Sequence, residues 1–247
     1  MDNSRGDAKI MIKVLGFDTS SIAATVALAE EGRLIAEYYL NNKRNHSEKL
    51  MPLIQQMLSD CDITLNEIQG IAVAMGPGSF TGLRIGAATA KGLAFAAGIP
   101  IIGINTLDGL AYNAVTFNGP ICPVLNARRE QVYTAMFRGN GMSIERLTDY
   151  MAVEIKEILK TAGETGEPVL FLGDGVPVYK DEIKNMLGKN ALFAPEALTM
   201  PRASSIALLG VEGFKKGEVE SPFTFTPFYL RRSQAEIQLE KKEGKCR

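Results

Sequence analysis

The chain has 247 residues but only one histidine, His46, and only three cysteines, Cys61, Cys122 and Cys246. A single histidine excludes metal motifs and catalytic sites that need two, and the widely spaced cysteines form no metal-binding or redox motif. Acidic and basic residues nearly balance, to a formal net charge of −1, which excludes a global basic field for holding nucleic acid. No stretch is long and apolar enough to predict a transmembrane helix.

The start of the chain does not predict a signal peptide, because residues 1–8 are polar and charged. Together with the unpaired cysteines, this favours a protein of the reducing cytoplasm. Apolar residues make up 46% of the chain, which is enough for a sizeable core in one large domain or in two halves. We expect residues 1–10 to be disordered and the charged tail, 236–247, to be frayed.

Predicted strands and helices alternate along the chain, and the pattern begins again near the middle. Hydrophobic periodicity predicts strands over 12–18, 23–30, 33–40, 70–75 and 99–104, and helices over 47–59, over 83–97 and from 106. The second half predicts strands over 121–126, 131–138, 143–147 and 169–172, and helices over 154–162 and 203–216. Asp18 then aligns with Asn126, and the Glu31-Gly32 turn with Asn140-Gly141. The sequence therefore predicts a duplicated α/β fold, with an N-terminal half over 11–118 and a C-terminal half over 119–235.

A glycine-rich turn joins the predicted strand 70–75 to the predicted helix 83–97. The segment from Gly76 to Gly82 contains three glycines and one proline. Such a turn can point backbone N–H groups at an anion near the positive end of the following helix. It matches neither the Walker loop nor the dinucleotide fingerprint. The alternative is a tight turn that packs the helix close to the sheet.

This turn, from Gly76 to Arg84, together with Asp18-Thr19-Ser20, resembles the TsaB (YeaZ-like) family, over about residues 12–134. The resemblance implies an actin/sugar-kinase/Hsp70-like (ASKHA, RNase H-like) fold. It also implies a non-catalytic scaffold or activator that partners a TsaD-type catalytic subunit. That subunit transfers a threonylcarbamoyl group to N6 of an adenosine next to the anticodon, in tRNAs that read codons starting with A. TsaD carries a paired-histidine metal motif, which this chain cannot form.

The strand ending in Asp18 stops where related folds hold phosphate or a metal. We predict anion or nucleotide contacts at Asp18, Thr19, Ser20, Gly76, Gly78, Ser79 and Thr81. The alternative is that Thr19 and Ser20 only cap the turn. Asn126 stands where the family usually has aspartate, which weakens any metal-dependent phosphoryl transfer. We therefore expect no tightly bound cofactor, no metal and no catalytic residue, with ATP or ADP bound only at a junction completed by a partner.

The predicted helix 83–97 carries small side chains on nearly every face, which allows another helix to approach closely. Alongside the apolar stripe of the predicted helix 47–59, it predicts a partner surface. We predict the interface residues His46, Leu50, Met51, Leu53, Ile54, Met57, Arg84, Ile85, Gly86, Ala90 and Leu93. The alternative is that later helices of the same chain cover these faces.

The resemblance implies a TsaD-type partner and a TsaE-type ATPase, contact with tRNA only through the complex, and no membrane. An exposed patch of this kind also predicts a homodimer in isolation. A second class of function stays open: an ATP-dependent kinase or hydrolase of the same fold, active on its own. Gly173-Asp174-Gly175 is its only candidate adenosine-binding segment. A role for Arg128, Arg129, Arg231 and Arg232 does not follow from the sequence.

Overall fold

A computed structural model describes residues 11–41, 46–128 and 130–231, without the side chains of His46 and Ser47. The predicted disorder over 1–10, the frayed tail, Arg129 and Arg232 lie outside these residues. In the described residues, no helix is long and apolar enough to cross a membrane.

The first sheet has five strands in the order β3-β2-β1-β4-β5. Its central strand β1 pairs antiparallel with β2 and parallel with β4. Helices cover both faces, which explains why β1, β2 and β4 are apolar almost throughout. The strands are β1 (Lys13–Asp18), β2 (Ala24–Glu30), β3 (Arg33–Leu40), β4 (Gly70–Gly76) and β5 (Ile101–Asn105).

The second sheet repeats this arrangement and so confirms the predicted duplication. Its main path runs β10-β7-β6-β11-β12, in which β6 takes the place of β1 and β11 that of β4. As in the first sheet, β6 is antiparallel to β7 and parallel to β11. The strands are β6 (Pro120–Arg128), β7 (Gln131–Thr134), β8 (Phe137–Gly139), β9 (Ile144–Arg146), β10 (Met151–Glu154), β11 (Val169–Leu172) and β12 (Ala191–Phe193).

The predicted third strand of the second half, over 143–147, is wrong as the counterpart of β3. That segment contains β9, which pairs with β8 in a small hairpin, and β10 occupies the equivalent position beside β7. The predicted strand 131–138 is divided into β7 and β8. Between them, the N–H of Met136 donates to the hydroxyl of Thr148 instead of to the sheet. The alignment of Glu31-Gly32 with Asn140-Gly141 is therefore also wrong.

Seven α-helices surround the two sheets in the described residues. Sequence periodicity did not predict α5 or the short α6, and it placed the start of α2 too late. Helix α2 begins at Phe80, because the Ser79 side chain caps it by accepting from the N–H of Gly82. The helices are α1 (His46–Asp60), α2 (Phe80–Ala97), α3 (Thr106–Tyr112), α4 (Ile155–Glu164), α5 (Val176–Leu187), α6 (Glu196–Thr199) and α7 (Ala203–Lys216).

Helix α7 crosses back to the first sheet, although the predicted division assigns it to the C-terminal half. Its residues Ile206, Ala207 and Val211 are buried in a core shared with β1, β2, β4 and β5. Close contact needs small residues, since a Cβ on Gly210 would lie 2.4 Å from Ala72 Cβ. The second half is therefore not a self-contained unit, and the division at residue 118 is wrong for α7.

Residues 225–231, called the strap below, connect the two halves near the end of the described chain. Phe225 is fully buried in the core of the first half. The N–H of Phe228 donates to the carbonyl of Met75, 2.8 Å away, and the ring of Phe228 lies 6.0 Å from that of Tyr150 in the second half. The strap thus ties the turn after β4 to the second half.

Candidate functional site

A cleft of about 550 Å³ lies between the two halves. It is lined by the last residues of β6 and by residues that follow β1, β4 and β11. The carboxyl ends of the strands are where open α/β sheets bind ligands. The strap closes one side. Its lining residues are Ser20, Ser21, Ile22, Pro77, Gly78, Ser79, Phe80, Thr81, Leu83, Leu125, Asn126, Ala127, Arg128, Tyr133, Asp174, Phe228, Tyr229, Leu230 and Arg231.

The glycine turn packs against other backbone segments of the same chain. Gly76 has a φ of 121°, and a Cβ there would lie 2.3 Å from the carbonyl oxygen of Phe228. A Cβ on Gly82 would lie 1.9 Å from the carbonyl oxygen of Thr19. Only glycine allows these approaches. Close packing of the turn therefore explains both glycines without a ligand.

The donors at the start of α2 are partly used within the fold. The N–H of Ser79 donates to the carbonyl of Ser20 at 2.7 Å. The hydroxyl oxygen of Ser79 accepts from the N–H of Gly82 at 3.3 Å, and this cap does not use the hydroxyl proton. The cap therefore leaves the hydroxyl proton of Ser79 for another acceptor, and Ser79 and Thr81 both line the cleft.

Asp18 holds the turn after β1 and does not line the cleft. It is almost fully buried, and its Oδ1 accepts from the backbone N–H and the hydroxyl of Ser20, both at 2.7 Å. The hydroxyl of Thr19 donates to the carbonyl of Gly82 at 2.7 Å. Of the predicted anion contacts, Ser20, Gly78, Ser79 and Thr81 line the cleft, whereas Asp18, Thr19 and Gly76 are structural.

The second half contributes an Asn126–Asp174 pair at the equivalent place. Asp174 follows β11 as Pro77 follows β4, and its Oδ1 accepts from the N–H of Asn126 at 2.8 Å. Burial raises the pKa of Asp174 above its usual range, although hydrogen bonds from the backbone N–H groups of Asn126 and of Asp174 itself partly oppose this. No group of three or more histidine, cysteine, aspartate or glutamate side chains suited to a metal occurs among the described residues.

An aromatic and cationic cluster joins the start of α2 to the strap. The guanidinium of Arg84 lies 3.9 Å above the ring of Phe80, and that ring lies 5.0 Å from the ring of Tyr229. Arg84 Nε also donates to the hydroxyl of Tyr229 at 3.4 Å. Sequence reasoning did not detect Tyr229, because its partners are distant along the chain.

The predicted interface needs a correction, because part of it is core. Leu50, Ile54, Met57 and Ala90 are buried against the first sheet. Gly86 is also buried, and a Cβ there would lie 2.7 Å from Thr19 Oγ1. These five residues cannot contact a partner in the folded chain. Met51 and Arg84 are exposed, Leu53, Ile85 and Leu93 are partly buried, and the side chain of His46 lies outside the described residues.

The accessible face of α2 differs from the predicted one. Ala88, Gly92, Phe95 and Ala96 are exposed, and they follow the helical repeat from Arg84. A Cβ on Gly92 would meet no atom within 4 Å. At Ala88 and Gly92 this face is therefore apolar, small and exposed, whereas the ring of Phe95 further along it contacts the ring of Phe223 at 5.7 Å. The opposite face packs on the sheet.

Two copies of one five-strand arrangement, with a cleft between them at the carboxyl ends of the central strands, define an actin/sugar-kinase/Hsp70-like (ASKHA) α/β protein. A family model described as TsaD, tRNA N6-adenosine threonylcarbamoyltransferase, matches residues 33–239. Curated relatives named tRNA threonylcarbamoyladenosine biosynthesis protein TsaB include one from Bacillus subtilis, 38% identical over 91% of this chain and 96% of its own. The chain belongs to the TsaB (YeaZ-like) family.

Other relatives agree with this assignment. The TsaB protein of Escherichia coli is 31% identical over 94% of this chain and 100% of its own. The solved structure of YeaZ from Pseudomonas aeruginosa superposes with a TM-score of 0.75 at 25% identity, over 89% of this chain and 100% of that one. The match to the TsaD model is consistent with a fold that the two families share.

Proposed function

We propose that the chain is a non-catalytic subunit in the biosynthesis of threonylcarbamoyladenosine on tRNA. It acts with a TsaD-type catalytic subunit and a TsaE-type ATPase, and it meets tRNA only through that complex. The names of its curated relatives support the pathway. The side chains at the ends of β1 and β6 support the non-catalytic role. Asp18 accepts hydrogen bonds from Ser20, and Asn126 at the equivalent place carries no charge.

The uncovered face of α2 carries the proposal for a protein partner. Exposed Ala88 and Gly92 let the backbone of a second helix come close, and exposed Arg84 lies one turn before Ala88 on the same helix. Partly buried Leu93 extends the apolar area. A helix of the TsaD-type subunit would bury this face, which otherwise leaves apolar side chains in water.

Gly92→Leu tests this surface without disturbing the fold. A leucine at this position has open space around it and a better helix propensity than glycine. We expect the variant to fold and to lose co-purification with the TsaD-type subunit and tRNA modification by the reconstituted set. Gly163→Leu, at an exposed glycine of α4 in the second half, is the matched control. We expect it to keep both co-purification with the TsaD-type subunit and tRNA modification.

Unchanged binding of the TsaD-type subunit by Gly92→Leu would rule out this face. By contrast, Gly86→Leu is unsuitable as a test, because its side chain would collide with Thr19 inside the fold.

A further inference from the structure

Two arginines in the cleft have no part in the proposed function. Arg128 ends β6 and Arg231 ends the described strap, and both line the cleft. Asp174 is the one acidic residue among the described lining residues, and it is engaged with the N–H of Asn126. The charged side chains of this wall therefore favour an anion, although the whole chain is nearly neutral.

The end of β6 is shaped so that Arg128 reaches the cleft. A β-bulge interrupts the pairing of β6 with β7 between Asn126 and Arg128. Arg128 has a φ of 62°, a left-handed conformation that is costly for a residue with a Cβ. The side chain of Asn126 supports it by accepting from the N–H of Arg128 at 2.8 Å. Bulges of this kind commonly redirect a side chain next to a functional site.

The side chain of Arg231 is held by a backbone carbonyl of β6. Its Nη1 donates to the carbonyl of Ala127 at 3.3 Å, which holds the guanidinium next to the backbone that precedes Arg128. This contact uses one of the five N–H donors of the guanidinium. The planar geometry of the others matches the oxygens of a phosphate group.

The opposite wall offers further donors for the same anion. The hydroxyls of Ser79 and Thr81 line the cleft at the start of α2, where the helix carries partial positive charge. Ser20 contributes no donor there, because its hydroxyl proton is directed to Asp18.

We propose that the cleft binds the phosphate group of a small molecule, held by Arg231 and Arg128 on one wall and by Ser79 and Thr81 on the other. The described lining supplies no pair of carboxylates for a divalent cation, so binding needs no metal. The glycine-rich turn thus forms one wall of the proposed site, through Ser79 and Thr81. The inference does not depend on the proposed partner, because it concerns the isolated chain.

Calorimetric titration of the purified full chain tests this site, with pyrophosphate, inorganic phosphate and ADP as probes, each with magnesium and with a chelator. Removing one charged hydrogen-bond partner should raise the Kd about tenfold or more in Arg231→Gln and in Arg128→Gln. Lys160→Gln, an exposed lysine of α4 outside the cleft, removes the same charge and should leave the Kd unchanged. Circular dichroism verifies that each variant is folded.

Four results would overturn the proposal: no binding of any probe at millimolar concentration, an unchanged Kd in Arg231→Gln and Arg128→Gln, equal weakening in Lys160→Gln, or binding that requires magnesium. Tighter binding of ADP than of pyrophosphate would support the site and identify its ligand as a nucleotide. Equal binding of the two would support a site that recognises the phosphates alone. Whether the Gly92→Leu variant binds the TsaD-type subunit does not affect these Kd values. Each of the two proposals can therefore be contradicted without affecting the other.

Discussion

Glu37 on β3 and Arg202, which precedes α7, form an ion pair that ties the C-terminal helix to the first sheet. The Glu37 carboxylate also accepts from the backbone N–H of Ser204 at 3.0 Å and from its hydroxyl at 2.8 Å. It therefore caps the first turn of α7, for which the side chain of Arg202 provides no cap. The Glu37 side chain thus holds the first turn of α7 against the first sheet.

Glu37→Gln should lower the free energy of unfolding by about 1.5–3 kcal/mol, because it removes the charged partner of Arg202 and of Ser204. Urea denaturation followed by circular dichroism measures the change. Glu212→Gln, which removes an exposed ion pair with Lys215, should change stability by less than about 1 kcal/mol. Equal effects of the two substitutions would contradict a special role for Glu37.

The contribution of Glu37 should also depend on pH. Burial raises the pKa of Glu37, but hydrogen bonds from Arg202 and Ser204 outweigh it and hold the pKa below the usual 4.5. The folded state therefore binds the proton less readily than the unfolded state. The stabilisation is fully present above pH 4.5 and is lost as the pH falls through the lower, folded-state pKa. The stability difference between wild type and Glu37→Gln should accordingly shrink in acid, and a constant difference would contradict this.

Alanine at two glycines of α2 should have opposite effects. Gly82→Ala places a Cβ 1.9 Å from the carbonyl of Thr19 and should destabilise the protein by about 2 kcal/mol or more. Gly92→Ala meets open space and should stabilise it by up to about 1 kcal/mol through helix propensity. Thermal melting compares the pair. A neutral Gly82→Ala would show that the turn after β1 moves easily.

Two phenylalanines near the strap should respond differently to truncation. Phe225 is fully buried in the first core, so Phe225→Ala should cost about 3–5 kcal/mol. Phe223 is 77% exposed, so Phe223→Ala should stay within about 0.5 kcal/mol. Denaturant titrations measure both. Similar values for the two would contradict the packing of the strap into the core.

The isolated chain should not turn over ATP. Asp18 is buried and bound to Ser20, and Asn126 replaces the second carboxylate that magnesium-dependent transfer needs. A sensitive phosphate-release assay with magnesium and ATP measures this. Robust turnover by the chain alone, lost in Asp18→Ala, would establish the alternative kinase or hydrolase.

The uncovered face of α2 should also pair with the same face of a second copy of the chain. Two chains can bury Ala88 and Gly92 against each other around a two-fold axis, since each face is apolar and small. We expect a homodimer in sedimentation at concentrations on the order of tens of micromolar, and a monomer for Gly92→Leu. A wild-type chain that stays monomeric there would contradict an exposed apolar face.

The sequence by itself determined the class of fold. Hydrophobic periodicity is local, and it correctly predicted the strands of the first sheet, the start of their repeat at β6 and β7, the strand β11 and the helix at Ala203–Lys216. It did not predict β10 or β12. The glycine-rich turn and Asp18-Thr19-Ser20 identified the family, because unusual backbone paths need particular residues at particular positions. The single histidine excluded a two-histidine metal site without any coordinates.

Only the tertiary structure decided which faces are covered and what the turn contacts. A small residue on a helix suits close packing against either the chain's own sheet or a partner, so Ala90 and Gly92 look alike in the sequence, although only Gly92 is exposed. The atoms that require glycine at positions 76 and 82 belong to Phe228 and Thr19, which are distant in the chain. Arg128 and Arg231 likewise line one cleft only because the strap brings Arg231 to the carbonyl of Ala127, at the bulge that ends β6. Periodicity records that a face is buried, and the long-range contacts determine what buries it.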